Sequence, residues 1–277
     1  MSNSNYSWCY AGHNQWCCVR LTNEKLEFQV NQGVSQNFAT FDQAADYTAN
    51  LLYQTWNNKP LYLSLSGGID SEFVANILLR NNIPFTPYIL DVPYTNSYEL
   101  WYAKYWCYKN KIVPIIKTID FQDYESIFVK YSKKIRDTHQ VGIPVNLYIA
   151  DQIHDLGGYC VNGLTDINQE NDQFYCNVVD YSLELFDPGK HPTGFFMYTP
   201  EIAFNYISQF DPAVSEQYNK LSFYNVSPRP KIDYLPNLWK EGSRMHQLRT
   251  IWKKRVPNTD PHWFGSKQDI LNLLTTN

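Results

Sequence analysis

Six consecutive residues hold the types and spacing most able to do chemistry: Ser66-Gly67-Gly68-Ile69-Asp70-Ser71. A chain that turns through two glycines into a helix presents successive backbone N–H groups, and the helix dipole adds positive potential at the same place. Glycines suit such a turn because a Cβ would block the approach of phosphate oxygens. Ser66 and Ser71 add hydroxyls that can donate to those oxygens. Asp70 repels bare phosphate, so a carboxylate here makes sense through Mg²⁺. The loop differs from both GxxxxGK[ST] and GxGxxG, which are absent. A Gly-Gly turn with an Asp in the first helical turn is the bland alternative.

Other groupings are weaker. Cys9, His13, Cys17 and Cys18 could bind zinc, but their spacing matches no common pattern and buried thiols explain them as well. The six cysteines include no C-x-x-C pair, which disfavours thiol redox chemistry. Asp151, His154 and Asp155 fall on one helix face, where acid–base work competes with simple solvation. Asn96 and Glu99 stand at N-cap and N3 spacing, which a capping box explains without a site.

The elements that must position the loop follow from pattern. Leu61–Leu65 is a short apolar strand. Phe73, Val74, Ile77 and Leu78 then lie on one helical face that stops at Asn81-Asn82. Tyr88–Asp91, Ile112–Ile116 and Tyr159–Asn162 are further strands. They are separated by a helix from Asn96 to about Lys109, a stripe of Phe121, Tyr124, Ile127, Phe128 and Tyr131, and a stripe of Val145, Ile149, Ile153 and Leu156 ending at Gly157-Gly158. Strands alternating with helices imply crossover connections and a parallel sheet covered on both faces. Ligands in such sheets sit beyond the carboxyl ends of the strands, where strand order reverses. Ahead of this core, Gln15–Leu21 and Lys25–Val30 read as a hairpin around Thr22-Asn23-Glu24, followed by a helix at 40–52. After it, residues 172–198 read as short strands and turns, Thr199-Pro-Glu opens a helix, and Ser266 with Asp269 starts a last one.

S-G-G-I-D-S after an apolar strand resembles the phosphate-binding loop of the PP-loop ATP pyrophosphatase superfamily, which includes the synthetase domains of asparagine, GMP and NAD synthetases. The resemblance covers roughly residues 59–170. It implies an adenine-nucleotide α-hydrolase-like (HUP-type) α/β fold, a Rossmann-like sheet of about five parallel strands with helices on both faces. It also implies an enzyme that cleaves ATP between the α- and β-phosphates, adenylates a substrate oxygen and releases pyrophosphate before a nucleophile displaces AMP. Carried onto this chain, Ser66, Gly67, Gly68 and Ser71 would hold the pyrophosphate end of ATP, with Asp70 at Mg²⁺. Adenine would lie near Ile89, Leu90 and Asp91, and the loop Gly163-Leu-Thr-Asp166 near the phosphates, although a plain turn explains Gly163 and Asp166 equally well. Lys231 and Arg244, and less so Arg249, are candidate cations for departing pyrophosphate, with a solvated basic helix as the alternative.

Three segments are expected: an appendage at 1–58, an ATP-binding core at 59–170, and a substrate or partner lobe at 171–277. The last contains a basic stretch, 229–255, with eight Lys and Arg against two acids, in a chain of net charge −4. The family's glutamine-dependent members carry an N-terminal glutaminase that 58 residues cannot hold. The expectation is therefore a standalone ligase or amidotransferase-like enzyme on a small molecule, using free ammonia, an amine or a separate glutaminase. Small standalone members of the superfamily also occur in bacteriophage genomes. Two other readings stay open: a nucleic-acid-modifying enzyme gripping RNA or DNA through 229–255, against which net acidity speaks, and a nucleotide-binding module without turnover, which would have no evident need for Asp70. The start Met1-Ser-Asn-Ser-Asn-Tyr lacks the order of a secretory signal, and no apolar run approaches the ~18 residues of a membrane span, so a cytoplasmic protein is expected.

Overall fold

The structure is a computed structural model. It describes residues 9–11, 28–30, 33–56, 58–93, 96–132, 135–137, 143–163, 167–170, 173–176, 180–181, 193–211, 213–214, 216–226 and 262–275. Its centre is a five-stranded sheet built from β3 (Leu61–Ser64), β4 (Thr86–Asp91), β5 (Ile115–Thr118), β7 (Tyr159–Asn162) and the two-residue β11 (Thr193–Gly194). Every pairing within it is parallel, and the order across it is β11-β7-β3-β4-β5. The chain thus steps outward from β3 to β4 to β5, then crosses back over the sheet to lay β7 on the other side of β3. The reversal of direction falls between β3 and β7, the two strands whose carboxyl ends lead into Ser66 and Gly163.

Helices cover both faces. On one lie α1 (Phe41–Trp56), α2 (Ile69–Arg80), α3 (Ser97–Asn110) and α6 (Pro200–Gln209). Their buried side chains, among them Ala45, Val74, Ala103 and Ile202, pack on Leu61, Leu63, Ile89, Tyr159 and Val161. On the other lie α4 (Phe121–Ser132) and α5 (Ile143–Asp155), whose Tyr124, Phe128, Ile149 and Ile153 pack on Tyr88 and Cys160. Strand side chains alternate in direction, so successive residues of one strand belong to opposite cores. This is the parallel sheet covered on both faces that the alternating pattern predicts, with the five or so strands that the resemblance implies.

Several local expectations hold. Asn82 and Gly157 adopt positive φ (55° and 75°) just past the ends of α2 and α5, as helix stops require. Thr199 caps α6, its Oγ1 accepting from the Ile202 amide at 3.2 Å with Pro200 next in line.

Others change. Asn96 precedes α3 but makes no side-chain cap. Its amide instead closes the carboxyl end of β4, donating to the Leu90 carbonyl (2.7 Å) and accepting from the Val92 amide (2.9 Å). A strand end with an unpaired carbonyl and amide competed for that side chain and won. In the appendage, β2 (Phe28–Val30) pairs antiparallel with β1 (Cys9–Ala11); the expected hairpin partner at 15–21 lies outside the described residues. Leu156 closes no apolar stripe, being 51% exposed beyond the end of α5.

Three further features go beyond what the sequence pattern predicts, although residues 173–176 and 180–181 are short strands within 172–198, as expected. One is the antiparallel sheet β12-β9-β8, formed by β8 (Ile167–Glu170), β9 (Gln173–Cys176) and β12 (His262–Ser266). Another is the pairing of β10 (Asp180–Tyr181) with β6 (Ile135–Asp137). The third is the helix α7 (Glu216–Tyr224). Helix α8 (Lys267–Thr275) follows Ser266 as expected. Among the described residues no helix is long and apolar enough to cross a membrane.

Candidate functional site

The turn from β3 into α2 sits at the reversal of strand order. Gly67 has φ +91°, and a Cβ there would run into the carbonyl of Glu99 on α3. Its glycine is thus required by the fold itself: backbone conformation and neighbouring helix both exclude a side chain. Gly163, at the end of β7, is likewise required. An added Cβ would stand 2.7 Å from the Ser71 amide and 2.8 Å from the Asp70 carbonyl carbon. The two loops therefore touch through bare backbone.

Gly68 differs. Its φ and ψ (−71°, 158°) suit any residue, and among the described residues an added Cβ would meet only Ser66 Oγ, at an ordinary 3.4 Å. Nothing among the described residues demands glycine at 68. The position of a side chain at 68 is thus left open at the start of a helix, where the first-turn amides have no intrahelical acceptors and Gly68 supplies no side-chain cap.

The serine hydroxyls are engaged within the loop. Ser71 Oγ donates to the Gly68 carbonyl at 3.0 Å, and Ser66 Oγ accepts from the Gly68 amide at 3.2 Å. Because Ser71's one proton is so used, Ser66 is the donor in the 3.1 Å bond between the two hydroxyls. A ligand that takes either hydroxyl exchanges one hydrogen bond for another.

Asp70 is the best-held group in the site. Its carboxylate meets Lys220 Nζ at 3.1 and 3.3 Å and accepts from Tyr224 Oη at 2.7 Å. Both partners come from α7, one turn apart, so they lie on one helix face. The Lys220 side chain is only 8% exposed against 29% for Asp70, so the cation is the more enclosed partner. Burial, then the Asp70 charge, pushes the Tyr224 hydroxyl well above its usual range, so it stays protonated and donates.

Aromatic packing aims α7. The Tyr224 ring stacks on Phe73 of α2 at 4.5 Å and on Phe196 at 5.5 Å, while Phe223 meets Phe41 of α1 edge-on at 5.0 Å. The start of α7 is tied back by Asn219, which accepts from the Asp211 amide (2.7 Å) and donates to its carbonyl (2.9 Å).

The structure thus gathers Ser66, Gly67, Gly68, Asp70, Ser71 and Gly163 in one place, and adds Lys220 and Tyr224. A Lys-x-x-x-Tyr spacing on a short helix is not a motif, so only the fold could reveal these two. The Ile89 and Leu90 side chains pack into opposite cores, leaving main chain and Asp91 at that strand end. Asp91 pairs with Lys104 at 3.6 Å. Lys231, Arg244, Arg249 and Asp166 lie outside the described residues, as do His13, Cys17 and Cys18. Among the described residues no group of three or more His, Cys, Asp or Glu is placed to hold a metal. Asp151 accepts from Tyr131 Oη at 2.6 Å.

These features define an α/β protein with a glycine turn opening a helix at the topological switch point of its sheet. No family model matches the chain, and neither does any curated protein. Among solved structures, NMN synthetase from Francisella tularensis aligns with a TM-score of 0.35 and 17% identity, over 45% of this chain and 54% of that one. An NH3-dependent NAD synthetase from Campylobacter jejuni, in complex with the nitrate ion, aligns with a TM-score of 0.36 and 18% identity, over 47% and 58%. The chain therefore spans little more than half the length of either, and at such scores the likeness says nothing of its chemistry.

Proposed function

We propose that this chain is a PP-loop ATP pyrophosphatase of the ligase kind: it binds ATP at Ser66–Ser71 and adenylates an oxygen of a small substrate, releasing pyrophosphate and preparing attack by ammonia or an amine. The observation that carries the reading is Gly68. Gly67 and Gly163 are glycines for the fold's own reasons, whereas Gly68 leaves open the space that a phosphate against the α2 amides needs.

The residues present fit a Mg²⁺ that arrives with the nucleotide. Asp70 would supply one carboxylate, the usual share of the protein where phosphates and water complete the shell. When bound, the ion would neutralise charge on the leaving pyrophosphate. The chain's own work is positioning and charge. The loop amides and the α2 dipole hold the phosphates, Tyr224 orients Asp70, and Lys220 places a cation beside the loop. Lys220 can relieve Asp70 of its charge without nucleotide and turn toward the phosphates with it. Lys231 and Arg244 are further candidates for that second role.

Isothermal titration with ATP and Mg²⁺ tests the reading. Wild type should bind. Gly68→Ala should weaken binding at least tenfold while leaving the melting temperature within a degree, since its Cβ clashes with none of the described residues. Absence of ATP binding by the wild type, or full affinity in Gly68→Ala, would overturn it. Release of pyrophosphate on adding candidate acceptors then assigns the substrate.

A further inference from the structure

The side of α3 turned away from the core carries an aromatic row that the fold does not use. Trp101, Tyr105 and Tyr108, at spacings of four and three residues, are 57%, 50% and 82% exposed. The opposite side of the helix is fully employed: Leu100, Ala103, Trp106 and Cys107 are buried, and Trp106 Nε1 donates to Asn76 at 2.8 Å. The exposed rings are already ordered against one another. Trp101 and Tyr105 stack with planes 3° apart, and Tyr102 stands edge-on to Trp101 at 4.9 Å and to Tyr98 at 5.2 Å. Just beyond the helix, Val113 is 85% exposed, and β5, the sheet's edge strand, leaves Ile115 and Ile116 37% and 41% exposed.

Charge decides what such a face accepts. Residues 97–118 hold Lys104, Lys109, Lys111 and Lys117 against one acid, Glu99. Lys104 is paired with Asp91 at 3.6 Å, while Lys109 and Lys111 are exposed at the helix end beside Tyr108. A second copy docked symmetrically would set lysines against lysines. Flat rings interleaved with cations fit a partner that is anionic along its length and offers planar faces. Bases paired inside a duplex have no free faces for this, whereas unpaired bases do.

We infer that α3 is a binding platform for single-stranded nucleic acid, with bases stacking on Trp101, Tyr105 and Tyr108 and the backbone running along Lys109 and Lys111. The platform begins beside the candidate nucleotide loop, because the Glu99 carbonyl and the Ala103 amide of α3 are what exclude a side chain at Gly67. A strand on these rings would reach the site with one end. The inference rests on the α3 surface alone and stands or falls separately from ATP binding.

Fluorescence anisotropy of a labelled dT12 oligonucleotide against the full chain, without ATP, tests it. Binding should weaken about tenfold or more in Trp101→Ala/Tyr105→Ala and recover largely in Trp101→Phe/Tyr105→Phe, because stacking needs a ring rather than a particular one. Lys109→Ala/Lys111→Ala should flatten the log–log salt dependence by about 1.4, the share of two phosphate contacts on a single strand. All four substituted residues are at the surface, and circular dichroism confirms that the variants stay folded. No binding at 50 mM salt, affinity indifferent to the aromatic substitutions, or wild-type self-association that Trp101→Ala/Tyr105→Ala abolishes would each overturn the inference. The last would assign the face to a second copy.

Discussion

At the scale of residues, the Asp70–Lys220 pair is uneven, and its unevenness is measurable. Removing Lys220 leaves a carboxylate that water and Tyr224 can still serve. Removing Asp70 leaves an ammonium in a nearly closed position without its carboxylate, the costlier error. Asp70→Ala should therefore destabilise by about 2–3 kcal/mol and Lys220→Ala by about 1 kcal/mol, while the double variant, which removes the enclosed ammonium as well, falls near the lysine variant alone. Urea unfolding of the four proteins checks this. A larger loss for Lys220→Ala than for Asp70→Ala would refute the asymmetry. Because Asp70 is held by Lys220 and Tyr224 within the fold, loss of nucleotide binding in Asp70→Ala is informative only beside its melting curve.

Among the elements, α6 shows how one side chain sets the position of a helix. Thr199 Oγ1 accepts from the Ile202 amide and shares a 2.9 Å bond with Thr48 Oγ1 in the interior of α1. Thr199→Ala should cost about 1–2 kcal/mol, a lost cap plus a buried hydroxyl left with its bond to the Ala44 carbonyl alone. Thr199→Ser should recover most of it, as denaturant midpoints will show. This helix is legible from Thr199-Pro200-Glu201 because capping chemistry is local. Helix α7 is not, since its place comes from Tyr224 and Phe223 packing among Phe41, Phe73 and Phe196, residues far apart in the chain. Asn96 shows the converse: its spacing to Glu99 suits a cap, yet the end of β4 claims its side chain.

For the whole molecule, the two cores give a direct measure of integrity. Cys107 lies in one and Cys160 in the other, and burial pushes the Cys107 thiol up to about 11 and that of Cys160 higher still. At pH 8 both are thiols rather than thiolates, so they should react with a disulfide reagent only through opening of the fold, far more slowly than in urea. Mass spectrometry of the labelled peptides reads each separately. Fast labelling of Cys160 in the native state would contradict the second core. Nucleotide bound between the β3 and β7 loops, which come from opposite ends of the core sequence, should stabilise globally. On the proposed function, ATP with Mg²⁺ at one hundred times Kd should add about 2.7 kcal/mol, a rise of several degrees in melting temperature. Gly68→Ala should remove that rise.

The glycine turn, the strand before it and the helix after it were written in adjacent residues, because turn geometry and helical periodicity are local properties of the chain. So were the alternation of strand and helix, and hence the parallel sheet with two covered faces. The order of the strands was not, nor that β7 returns beside β3 and sets Gly163 against Ser71. Nor could local pattern tell which glycine serves the fold and which leaves space, or that Lys220 and Tyr224 close on Asp70 across 150 residues. Those facts depend on what packs against what, and only the folded chain brings such distant atoms together.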